Sequence, residues 1–237
     1  MEIHNYKDYK AMSAACAESI LNDLDTKPTS VMALATGNSP LGVYSQLSLK
    51  HQEKPQLFNR LRVIKLDEWG GIPLETANIC ESFLQEKCIK PLNISPDRYF
   101  SFGNHADTPE MECERVRAWL KANGPIDSCV LGIGKNGHLG FNEPGDTLLP
   151  HCHVAQLAKT SQQHSMVESL SKQLTYGITL GMADILQSKK IILLLTGEGK
   201  VDIIQKFMTQ KITTQLPASL LWLHPNVHCF VDGSVLT

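Results

Sequence analysis

The sequence predicts an α/β fold, a mostly parallel sheet with helices on both faces. Three observations carry that expectation. Short runs that are apolar on consecutive positions recur along the chain, as strands buried on both faces do. Stretches with helical spacing lie between them, and strand–helix alternation is the signature of a parallel sheet. The 237 residues, 42% hydrophobic, are enough for one large domain, and no Pro/Gly/Ser linker, repeat or low-complexity segment divides them. A single domain over 1–237 is therefore expected.

The first expected helix is YKAMSAACAESILNDL (9–24), rich in Ala and Leu with polar residues interleaved. VMALA (31–35) reads as a buried strand, and SPLGVYSQLSLKH (39–51) as a helix with Ser39 at the N-cap and Pro40 at the first helical position. LRVIKL (61–66) is the next strand, followed by helices over ANICESFLQEKCIKPL (77–92) and TPEMECERVRAWLKANG (108–124). CVLGIG (129–134) and IILLLTG (191–197) are strands, with a helix expected over ITLGMADILQS (178–188) between them. GKVDIIQKFMTQ (199–210) is helical, and SLLWL (219–223) and HCFVD (228–232) close the set as strands.

Charge and composition exclude several function classes. Lys+Arg is 22 against 24 Asp+Glu, a net charge of −2 with no long run of one sign. No electrostatic footprint for nucleic acid or an anionic membrane is present, so neither partner is expected. MEIHNYKDYK lacks the apolar core of a signal peptide, and IILLLTG is too short to span a bilayer. The seven cysteines are scattered without a CxxC, which fits a reducing cytoplasm. HCH (151–153) has the composition of a metal clip, but adjacent positions rarely converge on one ion and no second pair has metal-like spacing. No metal is expected.

In open α/β sheets ligands bind outside the carboxyl ends of the strands. Four such places stand out. ATGNSP (35–40) offers the amides of Gly37, Asn38 and Ser39 and the hydroxyls of Thr36 and Ser39 near a helix start, a cradle suited to phosphate. An ordinary capped turn explains it equally well. LTGEGK (195–200) puts Lys200 at a helix start, where it gains nothing from the helix dipole; a bound phosphate or plain solvation accounts for it. LDEWGG (66–71) places Asp67 and Glu68 at a strand end, projecting to opposite sides, one into the crevice and one toward the scaffold. A carboxylate desolvated there is a usable general base, and a simple turn is the plainer alternative. GIGKNGHLGFNEPG (132–145) holds five glycines around His138, with Glu143 able to hold its tautomer. A core histidine would explain His138 but not the glycines.

These residues carry a family resemblance. LATGNSPLGVY, KLDEW, LGIGKNGHLGFNEPG, GITLGMADIL and LLLTGEGK, in that order, resemble the glucosamine-6-phosphate deaminase/isomerase family over nearly the whole chain. Within it the chain looks closer to the galactosamine-6-phosphate branch. The resemblance implies a modified Rossmann-like fold, no organic cofactor, and a small phosphorylated sugar as partner. Asp67 matches the base that moves a proton between C2 and C1 of the opened sugar, and His138 the group that assists ring opening, with Glu143 and Asn136 as its partners. Asn136 stands where the family often has Asp. Thr36, Gly37, Asn38, Ser39 and Lys200 match the phosphate site. Glu68, Gly137 and His164 are further expected sugar contacts, and 146–176 corresponds to a lid. A homo-oligomer is compatible with the sequence.

The chain also departs from the family. TSQQHSMVE (160–168) lacks the family's phosphate-clamping Arg, leaving His164 or Gln163 as substitutes. The basic residues of the family's effector site are missing around HCHVAQLAK (151–159). The implied reaction converts a hexosamine 6-phosphate, gluco or galacto, to a ketohexose 6-phosphate and ammonia. Three alternatives stay open. One is a 6-phosphogluconolactonase-type hydrolase, whose loop usually reads GxGxDGHTASLFP-like. The second is a non-catalytic sugar-phosphate sensor domain, which would carry a helix-turn-helix ahead of the first strand. The third is a deglycase acting on a substituted amine.

Overall fold

A computed structural model of the chain describes residues 1–103, 108–158, 161, 174 and 176–235. Among the described residues, ten strands form two sheets. The main sheet contains β1 (Glu2–Tyr6), β2 (Val31–Leu34), β3 (Arg62–Lys65), β5 (Tyr99–Phe100), β6 (Ser128–Gly132), β9 (Lys190–Leu195) and β10 (Val227–Asp232). Their order is β1-β10-β9-β6-β2-β3-β5, and every pairing is parallel. β4 (Asp67–Gly70), β8 (Tyr176–Thr179) and β7 (His153–Ala155) make a smaller antiparallel sheet in that order.

Two apolar layers cover the main sheet, which is why its strands read as unbroken apolar runs. Met32, Leu34, Val63, Val130, Ile192 and Leu194 pack on one side with Met12, Cys16 and Ile20 of α1 (Tyr9–Thr26) and Val43 and Tyr44 of α2 (Asn38–Glu53). Ala33, Ile64, Leu131, Leu193 and Val231 pack on the other with Val116 of α4 (Pro109–Asn123), Ile185 of α5 (Met182–Leu186) and Ile203 and Phe207 of α6 (Val201–Met208). Burial of this kind is worth roughly 1.5–3 kcal/mol per large side chain.

The structure corrects several elements. β1 forms from the polar start of the chain, because an edge strand needs no continuous apolar run. SLLWL is part of a 3₁₀ helix, Pro217–Leu223, opened by Pro217 rather than a strand. The helix expected over 178–188 is divided: Gly181 ends an extended segment, and only Met182–Leu186 is helical. The segment over 77–92 begins as α3 (Cys80–Leu84) and continues as a π turn, Gln85–Ile89. α2 starts at Asn38 with Gly37 as its N-cap, two positions earlier than Ser39 and Pro40 imply.

Chain order fixes where the crevice lies. β2, β3 and β5 step outward in one direction, and β6, β9 and β10 in the other, so the sheet order reverses between β2 and β6. Such a reversal opens a crevice at the carboxyl ends of the strands. ATGNSP and GIGKNGH follow those two strands. The smaller sheet joins at the same end. Leu66 donates its N–H to Leu34 and accepts from Leu180, so one residue closes the main ladder and opens the second.

Candidate active site

A cavity of about 750 Å³ sits at the reversal point, lined by all four strand-end segments. Thr36, Gly37, Asn38 and Ser39 form one wall and Thr196, Gly197 and Lys200 the facing one. Gly37 has φ +93°, a conformation that favours glycine, and leads directly into the start of α2, where Asn38 and Ser39 also line the cavity. The Tyr9 hydroxyl braces this turn: it donates to the Asn38 carbonyl at 2.7 Å and accepts from the Gly42 N–H at 2.7 Å.

Lys200, the N-cap of α6, reaches across to Ser39, Nζ to Oγ 3.4 Å. Burial, with Lys135 nearby, pulls its ammonium down to about 8. Lys135 also lines the cavity, as does the carboxylate-bearing Glu198. Two lysines, hydroxyls and a helix start suit this end of the cavity to an anion.

Asp67 and Glu68 separate as alternation along a strand requires. Asp67 lines the cavity yet is only 8% exposed. Burial, reinforced by the charge of Glu68, pushes its carboxyl up to about 7, although His138, Cys80 and Lys65 oppose the shift. The Cys80 thiol donates to Asp67 Oδ1 at 3.7 Å and accepts from Thr36 Oγ1 at 3.3 Å, linking it to the anion cradle. A carboxyl that titrates near neutrality can take up and return a proton at ordinary pH.

Glu68 is the scaffold half of the pair. Its Oε1 accepts from the Trp69 and Cys80 amides, and its Oε2 from the Glu81 amide and from Lys65 Nζ at 2.8 Å. Lys65, fully buried, also meets Glu81 at 3.0 Å. Burial alone would lower the Lys65 ammonium, but the two carboxylates outweigh it and raise it. Glu68 caps α3 and does not line the cavity, so the expectation that it contacts the sugar is corrected.

His138 stands on the cavity wall with its Nδ1 3.2 Å from Glu143 Oε2. Asn136 Nδ2 donates to the same oxygen at 2.8 Å, and its Oδ1 accepts from the His138 amide at 3.2 Å. Ser161 donates to Glu143 Oε1. Burial pushes the Glu143 carboxyl up, but its bonds to His138, Ser161 and Asn136 prevail and hold it below the usual range. Asn136 and Glu143 thus act behind His138 rather than on the cavity surface. Gly137, with φ +91°, faces away: a Cβ there would lie 2.2 Å from Leu216 Cδ1. Its expected sugar contact is corrected as well, since its left-handed turn serves packing.

Three residues at the site were not singled out in the sequence, namely Lys135, Cys80 and Ser161. Lys135 was legible inside GIGKNGH. Cys80 and Ser161 lie in other segments and reach the site only through folding. His164 and Gln163 fall outside the described residues, as do 159–160, 162–173 and 175 of the expected lid. The HCH segment does not converge: His151 Nδ1 lies 3.0 Å from Asp184, while the His153 ring bonds the His151 carbonyl at 2.8 Å. All seven cysteines are free and buried, and no helix among the described residues is long and apolar enough to cross a membrane.

An open parallel sheet with two lysines, hydroxyls and a near-neutral carboxyl in one cavity at its reversal point defines a Rossmann-like protein with a cavity suited to a small anionic ligand. The chain belongs to the enzyme family of glucosamine-6-phosphate isomerases/6-phosphogluconolactonase, whose model matches residues 7–229. It is 43% identical over 230 residues to AgaI of Escherichia coli (strain K12), whose name assigns it only provisionally as a deaminase; 97% of this chain and 91% of that protein are covered. It is 33% identical to glucosamine-6-phosphate deaminase of Geobacillus sp. (strain WCH70), covering 100% and 95%. A solved monomeric glucosamine-6-phosphate deaminase superposes with a TM-score of 0.93 at 31% identity, covering 99% and 98%. The 6-phosphogluconolactonase of Trypanosoma brucei shares the fold, with a TM-score of 0.77 at 21% identity, covering 99% and 97%.

Proposed function

We propose that the chain is an amino-sugar-phosphate deaminase/isomerase that converts a hexosamine 6-phosphate and water to a ketohexose 6-phosphate and ammonia. The observation that carries this reading is the placement of a buried, near-neutral Asp67 and an anion cradle in one cavity. The phosphate binds at Thr36–Ser39 and Lys200, with Lys135 as a second cation in place of the family's arginine. His138, oriented by Glu143 and Asn136, passes a proton at the ring oxygen and opens the sugar. Asp67 then removes the C2 proton and returns it to C1, and water releases ammonia at C2. One carboxylate serves both carbons because the phosphate anchor holds a single face of the opened sugar toward it.

The resemblance of its motifs to the galactosamine-6-phosphate branch favours galactosamine 6-phosphate over the gluco epimer. Incubation with glucosamine 6-phosphate, galactosamine 6-phosphate, their N-substituted forms and 6-phosphogluconolactone, reading ammonia or amine release from the sugars and acid release from the lactone, tests the reading. Turnover of a free hexosamine 6-phosphate is expected. Hydrolysis of the lactone alone, or release only from substituted amines, would overturn it.

A further inference from the structure

The amino edge of the main sheet, opposite the cavity, carries a second group of convergent side chains. β1 and β10 pair in parallel with Glu2 opposite His228, and Glu2 and His4 share a face two residues apart. His4 Nε2 lies 3.4 Å from His228 Nδ1, Glu2 Oε2 lies 3.5 Å from His228 Nδ1, and the third side, Glu2 Oε2 to His4 Nε2, is 3.8 Å. Ligands bound at ~2.0–2.1 Å around a tetrahedral zinc ion stand about 3.4 Å apart. Two sides match, and the third is slightly long at the exposed Glu2, whose side chain is free to close it. Among the described residues, no other three such side chains bring their ligand atoms this close.

Hydrogen bonding fixes which nitrogen of His228 is bare. Asn226 Nδ2 donates to the Lys189 carbonyl at 2.9 Å, so its Oδ1 is the atom 3.1 Å from His228 Nε2. His228 therefore carries its proton on Nε2, and its Nδ1 offers a lone pair toward His4 and Glu2. An imidazole whose outer N–H is held by an acceptor is the usual state of a metal-binding histidine. Burial, with Lys190 near, lowers the His228 ring's affinity for a second proton. That lysine is itself matched by Asp23 at 2.8 Å, so its charge is largely cancelled at the site. The bare nitrogen and the Glu2 carboxylate are both acceptors and face each other. A proton on His4 relieves part of that repulsion; a metal ion relieves all of it.

We propose that Glu2, His4 and His228 bind one divalent transition-metal ion of the zinc type, clamping β1 onto β10. A water completes the fourth position on the exposed side. Because the ligands lie at the amino ends of their strands, the ion is structural and does not reach the cavity. Sequence spacing hides the site, since His4 and His228 are 224 positions apart and only strand pairing joins them.

The test uses the full chain, stripped with chelator and titrated with Zn²⁺ by calorimetry and with Co²⁺ by absorbance. One equivalent should bind, with a visible d–d band, no thiolate-to-metal charge transfer, a higher Tm and unchanged kcat. His4→Gln and His228→Gln should each weaken binding at least ~10-fold and abolish the Tm rise, with a smaller loss for Asn226→Ala. The Co²⁺ spectrum of the unsubstituted chain decides the matter even where a variant folds poorly. No saturable binding, binding undiminished in the double histidine variant, or a thiolate band that puts the ion on cysteine would overturn the proposal.

Discussion

Lys200 Nζ and Ser39 Oγ, 161 positions apart in the chain, face each other at 3.4 Å across the crevice. The contact joins the starts of α6 and α2, so both helices aim at one small volume. An anion held there meets a lysine whose charge burial has already made costly, with its ammonium near 8. The gain on pairing it is correspondingly large.

Lys200→Ala should raise KM for a sugar phosphate with a smaller effect on kcat. A charge-assisted contact is worth ~1.5–3 kcal/mol, or about 10–150-fold. In the unsubstituted enzyme the ammonium is charged below about 8 and neutral above it. KM should therefore climb as pH passes 8, and that alkaline rise should vanish in the variant. An unchanged KM would put the phosphate elsewhere.

Asp67→Asn should lower kcat by ~10²–10⁴-fold. The carboxylate form is the active one, so kcat/KM should rise as pH increases through about 7, where the group titrates. Stability should move the other way. Its folded value lies above the ordinary aspartate value of 3.8, so the fold favours the protonated form. That contribution is full below 3.8 and is lost as pH climbs through about 7. At pH 8 the Asn variant should melt higher than the parent, with the difference shrinking toward pH 4. A variant less stable at pH 8 would contradict the burial argument.

Glu68→Ala should destabilise the fold by about 3 kcal/mol, at the lower end for a broken buried pair. Glu81 still faces Lys65 at 3.0 Å, which limits the loss, while the Cys80 and Glu81 amides lose their acceptor. Urea unfolding measures it. A change below ~1 kcal/mol would show that Glu81 alone suffices.

Gly140→Ala should cost both stability and rate. Gly140 has φ +57°, and an added Cβ would stand 2.6 Å from Thr179 Oγ1 and 3.4 Å from Asp67 Oδ2. Thr179 cannot easily yield, since it accepts from the Phe141 amide and donates to the Leu180 carbonyl, each at 3.1 Å. The left-handed backbone alone adds ~1–2 kcal/mol. Gly145→Ala, whose nearest atom would be 3.6 Å away, is the control and should be nearly silent in Tm and kcat.

Much of this arrangement is legible in the residues themselves. Val31–Leu34 and Lys190–Leu195 read as strands because both faces are buried, whereas the loops after them read equally well as ligand cradles or as ordinary turns, and only the family resemblance favours the cradle. The smaller sheet was not legible. β7 is three residues long, and the last two residues of β8 fall in a stretch whose spacing suits a helix, so the pairing of β4 with β8 and of β8 with β7 depends on contacts distant in sequence. Ser161 behind Glu143 and Cys80 beside Asp67 were hidden for the same reason. No local pattern marks a side chain that matters only through a partner 18 or 13 positions away.

Leu66, shared between two ladders, gives the cavity a seam. The anion cradle is built on the ends of β2 and β9, while Asp67 is the first residue of β4 beyond the seam. The proposed phosphate grip and the proposed base therefore belong to different sheets, and their separation would work as a gauge. A molecule whose charged end and reacting carbon differ in span from that setting can be held by one jaw or the other but not by both. Under the proposed function, selectivity for chain length then follows from a backbone joint, and substitutions around Leu66, which itself lines the cavity, would reset it.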